Sequence, residues 1–126
     1  MARINGFRDL IVYQKGYKLA MAIFEITKGF PKEEQYSLTD QIRRSSRSVT
    51  SNLCEAWAKR IYEKSFVSKL SDSLGEAYET EGWLDYSKDC GYIEPTAHSD
   101  LLCQSDEVRK MLISMISNPE KFCHQK

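Results

Sequence analysis

The chain has 126 residues, the size of one domain spanning residues 1–126, and its 41% hydrophobic and 29% charged content is that of a globular chain. Eighteen Lys and Arg balance eighteen Asp and Glu, so the formal net charge is zero, which on its face argues against a protein held to nucleic acid by bulk attraction. No stretch approaches the roughly 20 apolar residues of a membrane-spanning helix, and the opening MARINGFRDL lacks a signal-peptide core, so no membrane partner and a cytoplasmic location are expected.

The first long segment carries Leu10, Tyr13, Tyr17, Ala20, Phe24 and Thr27 at steps of three and four, flanked by Leu19, Ile23, Ile26 and Phe30. That spacing predicts a helix with a wide apolar face, ending at Gly29-Phe30-Pro31 because proline lacks the N–H a continuing helix uses. Lys32 to Gln35 reads as a polar connector. Ser37 with Asp40 three positions later resembles a capping box for a second helix, whose buried side is predicted as Leu38, Ile42, Val49, Leu53, Ala56 and Trp57. This segment is rich in Ser45, Ser46, Ser48, Thr50 and Ser51, mediocre helix formers, so packing or partner contacts must hold it.

A third helix is predicted from about Glu63 to Cys90 on a seam of Phe66, Leu70, Leu74, Ala77 and Leu84, with Trp83 to one side and Gly91 as the stop. After a tight connection at Tyr92 to Pro95, a fourth helix buries Leu101, Leu102, Val108, Met111, Leu112, Met115 and Ile116 until Asn118-Pro119, and Glu120 to Lys126 reads as a frayed tail. Four amphipathic segments on short connectors predict an all-α, antiparallel up-down-up-down four-helix bundle.

Several chemistries find no support. Cys54, Cys90, Cys103 and Cys123 have no metal-ligand spacing, and Cys54 reads as a small core hydrophobe. A di-metal carboxylate bundle needs Glu-x-x-His pairs, which His98 and His124 do not supply, and His98 reads as a surface or capping residue. With no phosphate-gripping glycine loop or nucleophile elbow either, no catalytic residue, metal or cofactor is expected, and the chain reads as non-enzymatic.

The zero net charge hides a partition. Residues 38–69 carry Arg43, Arg44, Arg47, Lys59, Arg60, Lys64 and Lys69 against Asp40, Glu55 and Glu63, whereas residues 70–107 set ten carboxylates against Lys88 alone. Arg43 and Arg47 stand one turn apart with Arg44 beside them, a basic stripe suited to a phosphate backbone because guanidinium forks match phosphate oxygens. Ser46 and Ser48 would add neutral hydrogen bonds, and Lys59, Arg60 and Lys64 are secondary contacts. The competing reading is a solvated face or ion pairs to acidic residues of the third helix or a neighbouring protomer. Glu55, set among Leu53, Cys54, Ala56 and Trp57, is expected in an ion pair or on a helix terminus, because an unpaired charge there would be costly. Trp57 and Trp83 read as core or subunit-interface rings, though either could stack on a base.

The strings Phe7-Arg8-Asp9-Leu10-x-Val12-Tyr13-Gln14-Lys15, Phe30-Pro31-Lys32-Glu33-Glu34, Leu38-Thr39-x-Gln41-Ile42-Arg43-Arg44-Ser45 and Ser48-Val49-x-x-Asn52-Leu53-x-Glu55 resemble the bacterial 23S rRNA intervening-sequence, or S23, family. Leu74-Gly75, Glu79-x-Glu81 and Lys88-Asp89-x-Gly91-Tyr92-Ile93 continue the match, which covers roughly residues 7–116. The resemblance implies a four-helix bundle assembled as a homopentamer, with nucleic-acid binding the usual suggestion for its function. It also relates the chain to the accessory variability protein of diversity-generating retroelements, which works with a reverse transcriptase and RNA. Thr50, Ala56 and Ala58 depart from the family's proline and glycines, which puts in doubt the kink expected near Asn52 to Ala58. Glu79 and Glu81 match its paired glutamates but face different ways on a helix, so they form no acid/base dyad. One is expected inward or across an interface on an arginine, and Glu79 is the choice. The chain is thus expected to bind RNA or DNA through Arg43, Arg44 and Arg47. The rival expectation is a protein-interaction scaffold, such as an accessory subunit of a reverse transcriptase, with the acidic third helix docking a basic partner.

Overall fold

The structure, a computed structural model, describes residues 4–123. A 3-10 turn at Phe7–Asp9 leads into α1 (Ile11–Thr27), and α2 (Asp40–Ala58), α3 (Glu63–Asp89) and α4 (Pro95–Ser117) follow before a last 3-10 turn at Pro119–Lys121. Packing runs round a ring of neighbours, most extensive between α2 and α3 and least between α1 and α4. Paired side chains set the directions. Ser45 meets Thr80 while the Ser73 hydroxyl donates to the Val49 carbonyl, so α3 descends as α2 rises. Thr27 accepts from Arg43 while Gly16 faces Thr50, and Glu81 reaches Ser105 while Asp85 reaches His98, so α1–α2 and α3–α4 are antiparallel too.

The turn after α3 shows how local sequence imposes this path. Gly91 adopts φ +80°, Tyr92 N–H bonds the Ser87 carbonyl and Gly91 N–H bonds the Lys88 carbonyl, a Schellman closure that only a residue without Cβ enters cheaply. Pro95 then starts α4, where its missing N–H costs nothing.

Two apolar clusters fill the interior. One joins Val12, Leu53, Phe66, Leu70, Val108 and Leu112 near the α2–α3 turn, and the other joins Leu19, Ile23, Ile42, Leu84, Ile93 and Leu101 near the opposite end. Between them lies a layer of small and hydroxyl side chains, Ser45, Ser46, Thr80 and Ser105, all buried. The layer is internally satisfied: Ser45 and Thr80 share a 2.8 Å hydrogen bond, Thr80 also donates to the Glu76 carbonyl, and Ser46 donates to the Arg43 carbonyl.

Some expectations need correction. On α1 the buried stripe is Val12, Gly16, Leu19, Ala20, Ile23 and Thr27, drawn from both expected rows, while Tyr17 is 54% exposed and Tyr13, Phe24, Ile26 and Phe30 are half-buried. Gly16 lies on that stripe at a close approach, where a Cβ would stand 3.1 Å from Thr50 Cγ2, so α1 presents its smallest residue to α2. No capping box starts α2. Gln35–Thr39 is a π-helical turn continuous with it, and Ser37 bonds the Glu34 carboxylate instead. The connector before it contains a 3-10 turn at Lys32–Glu34. α2 is helical throughout Asp40–Ala58, with no break near Asn52. Leu74 is only half-buried, its place on the seam taken by Ser73. The tail is structured as far as Cys123, because Phe122 stacks on Phe66 at 6.1 Å, and His124 to Lys126 lie outside the described residues.

Candidate nucleic-acid interface

Arg44 and Arg47 are exposed on the outer face of α2 and line a shallow concavity with Asp40, Arg43, Ser48 and Ser51. Their neighbour Arg43 is otherwise engaged. Its Nε donates to Thr27 Oγ1 at 2.8 Å, its Nη2 reaches the Phe24 carbonyl, and its guanidinium lies 4.8 Å from the Phe24 ring centroid. It therefore serves the C-terminal end of α1, where carbonyls lack helical partners and a cation is favoured. Ser46 is buried and offers nothing outward, whereas Ser48 stands half-exposed beside Glu76. Burial, reinforced by Glu79, pushes the Glu76 carboxyl above its usual range, against the Ser48 hydroxyl and Arg44.

A second basic concavity lies where α2 turns into α3, lined by Lys59, Lys64, Ser65, Ser68 and Lys69. Lys59 and Lys64 are exposed and form no ion pair with a described residue. Arg60 is the counterpart of Arg43: its Nε donates to the Trp57 carbonyl at 2.8 Å and its guanidinium lies 3.5 Å from the Trp57 ring. Trp57 is thus capped on its outer side while packing against the first apolar cluster. Of the six cations expected on this surface, Arg44, Arg47, Lys59 and Lys64 face solvent, and Arg43 and Arg60 close helix ends.

Between the two patches Glu55 pairs with Lys69 at 3.0 Å, and Lys69 also lies 3.8 Å from Asp72. The ion pair is as expected, but its setting is not, since the Glu55 side chain is 56% exposed. The inward glutamate is Glu81 rather than Glu79. Glu79 is exposed, whereas Glu81 bonds Arg109 and accepts from Ser105 at 2.7 Å, with the Arg109 and Glu81 side chains only 18% and 20% exposed. His98, expected as a surface or capping residue, is buried and bonds Asp85 across α3–α4 at 2.8 Å. Sequence reasoning passed over Arg109, and its available signal was Ser105 one turn before it, a small polar residue on an otherwise apolar stripe. Burial pushes the Cys54 and Cys123 thiols up, which suits packing. Among the described residues no group of three His, Cys, Asp or Glu side chains is placed to hold a metal ion, and no helix is long and apolar enough to cross a membrane.

These features define an antiparallel four-helix bundle with a basic outer face on its second helix. The family model described as 23S rRNA-intervening sequence protein matches residues 8–114, and the chain belongs to that family. A similar solved structure is the crystal structure of a protein of unknown function from the S23 ribosomal protein family of Bacteroides thetaiotaomicron. It is 31% identical, with 85% of this chain and 96% of that chain covered and a TM-score of 0.77. No curated protein matches.

Proposed function

We propose that this chain is a non-enzymatic protein that binds RNA or DNA by electrostatic positioning, with little base readout. The observation that carries this reading is the exposed pair Arg44 and Arg47 in one concavity with Ser48 and Ser51, two forked donors placed to meet phosphate oxygens, with Arg47 lying 5.6 Å from the Phe24 ring centroid. Filter binding to structured RNA and duplex DNA at low and moderate salt tests it. The Arg44→Ala/Arg47→Ala variant is expected to bind about tenfold more weakly and to flatten the log–log salt slope by roughly 0.9 per lost phosphate contact. Arg43→Ala is expected to lower thermal stability more than affinity, since its guanidinium holds α1. Absence of salt-sensitive binding by the native protein ends this reading.

We further propose that the chain works as a homo-oligomer, the pentamer being the number its family resemblance implies. Ile11, Tyr17 and Met21 on α1 are exposed, and Ile11 borders an apolar groove with Ile4, Leu10, Val12, Met111 and Phe122 between α1 and α4. Such surface favours association. Sedimentation velocity is expected to show an oligomer that Ile11→Glu/Met21→Glu shifts toward monomer, and a monomeric native protein at high micromolar concentration refutes it.

A further inference from the structure

We infer that the nucleic acid met by this face is double-stranded, bridged by the two basic patches across one of its grooves; the inference rests on the nucleic-acid function proposed above. The two patches follow each other along the outer side of α2: the first has Arg44 and Ser48 toward Glu76 of α3 and Arg47 toward Phe24 of α1, and the second lies at the α2–α3 turn, beyond the point where Glu55 meets Lys69. Twelve residues separate Arg47 from Lys59, about 18 Å at 1.5 Å per residue. The surface between them is unsuited to a phosphate chain. Glu55 spends Lys69, Asp72 shares that lysine, and Glu76 and Glu79 lie beyond.

A single strand laid along α2 would carry successive phosphates past those carboxylates. Over the waist itself it would also find no ring to stack on: Ser51, Glu55 and Ala58 form the exposed course there and Trp57 is covered by Arg60, so the exposed rings of Tyr36 and Tyr62 stand only beyond its two ends. Single-strand binding draws on such stacking, about 1–3 kcal/mol per base. A duplex meets both constraints. Its two backbones flank a groove about 12 Å wide between walls in the B-form major groove, so phosphate centres stand somewhat further apart, comparable to the patch spacing. The acidic waist then faces open groove. A wide groove with two phosphate walls also exists in A-form RNA, on its shallow minor-groove side, so either duplex fits this chemistry.

Fluorescence anisotropy with the full-length protein separates the possibilities, using a 20-base-pair RNA duplex, the DNA duplex of the same sequence, and the component single strands at 50 and 200 mM salt. At least one duplex is expected to bind tenfold or more tightly than its strands. With about four phosphate contacts, its affinity should fall on the order of 100-fold across that salt range. Arg44→Ala/Arg47→Ala and Lys59→Ala/Lys64→Ala are each expected to weaken duplex binding about tenfold, with circular dichroism confirming that both fold. Strands that bind as tightly as both duplexes overturn the inference and leave the proposed function standing. A duplex affinity indifferent to either double variant overturns the bridging geometry. Lack of salt-sensitive binding by every probe removes the proposed function as well.

Discussion

Phe66→Ala is expected to destabilise the bundle by about 3–5 kcal/mol, the range for removing a fully buried aromatic side chain. Phe66 has no exposed surface, sits in the cluster that joins α2, α3 and α4, and stacks on Phe122 from the closing 3-10 turn. Its deletion therefore opens a cavity that several elements share, and the tail loses its anchor. Domains of this kind are stable by roughly 5–15 kcal/mol, so the loss takes a large part of the total. Urea unfolding followed by circular dichroism checks it. Phe66→Leu should cost much less, because most of the volume is kept. Phe122→Ala should fall between the two, since that ring is only half-buried. A Phe66→Ala midpoint close to that of the native protein would mean that the two rings do not close this end of the bundle.

The same residue shows why the fold was legible in the sequence and where legibility stopped. On α3 the buried positions are Phe66, Leu70, Ser73, Ala77, Thr80, Leu84 and Ser87, an unbroken three-four alternation of the heptad kind. A search for apolar letters finds Phe66, Leu70, Ala77 and Leu84, enough to place the helix and its face. It misses Ser73, Thr80 and Ser87, because a hydroxyl on that stripe reads as surface until its acceptor is known. The acceptors are backbone carbonyls of Val49, Glu76 and Trp83, one of them on another helix. The same gap affected the candidate interface. Arg44, Lys59 and Lys64 are as exposed as charge patterning suggests, yet nothing in the spacing of Arg43 and Arg60 reveals that they turn onto carbonyls at the ends of α1 and α2. The basic excess of residues 38–69 is real as a count but smaller as a surface. The acidic excess beyond it is likewise reduced by Glu81, spent on Arg109 inside the α3–α4 seam.

Arg109→Met is expected to destabilise the protein by about 2–4 kcal/mol, because it strands a largely buried carboxylate rather than because the pair itself is strongly favourable. Glu81 Oε2 would retain only the Ser105 hydroxyl, and Asp106 would lose one of its two cationic partners, keeping Lys110. Burial disfavours the Arg109 charge, but the hydrogen bond and charge of Glu81 outweigh it and raise its pKa further. The pair thus holds two ions in a place that excludes most water, at the level of the hydroxyl layer that divides the apolar clusters. Removing both charges is a different experiment. Glu81→Met/Arg109→Met leaves no orphan ion and should recover most of the loss, whereas Glu81→Met alone leaves Arg109 with Asp106 and should cost less than Arg109→Met. Chemical unfolding of the four proteins closes this double-mutant cycle, and a coupling energy near zero would place the pair among ordinary surface salt bridges. If the cycle shows strong coupling while the double variant unfolds with its native cooperativity, the apolar seams alone set the register of α3 against α4. If cooperativity falls in the double variant, the ion pair is what prevents the two helices from sliding by a heptad, a shift that leaves Leu, Ser and Thr facing similar neighbours.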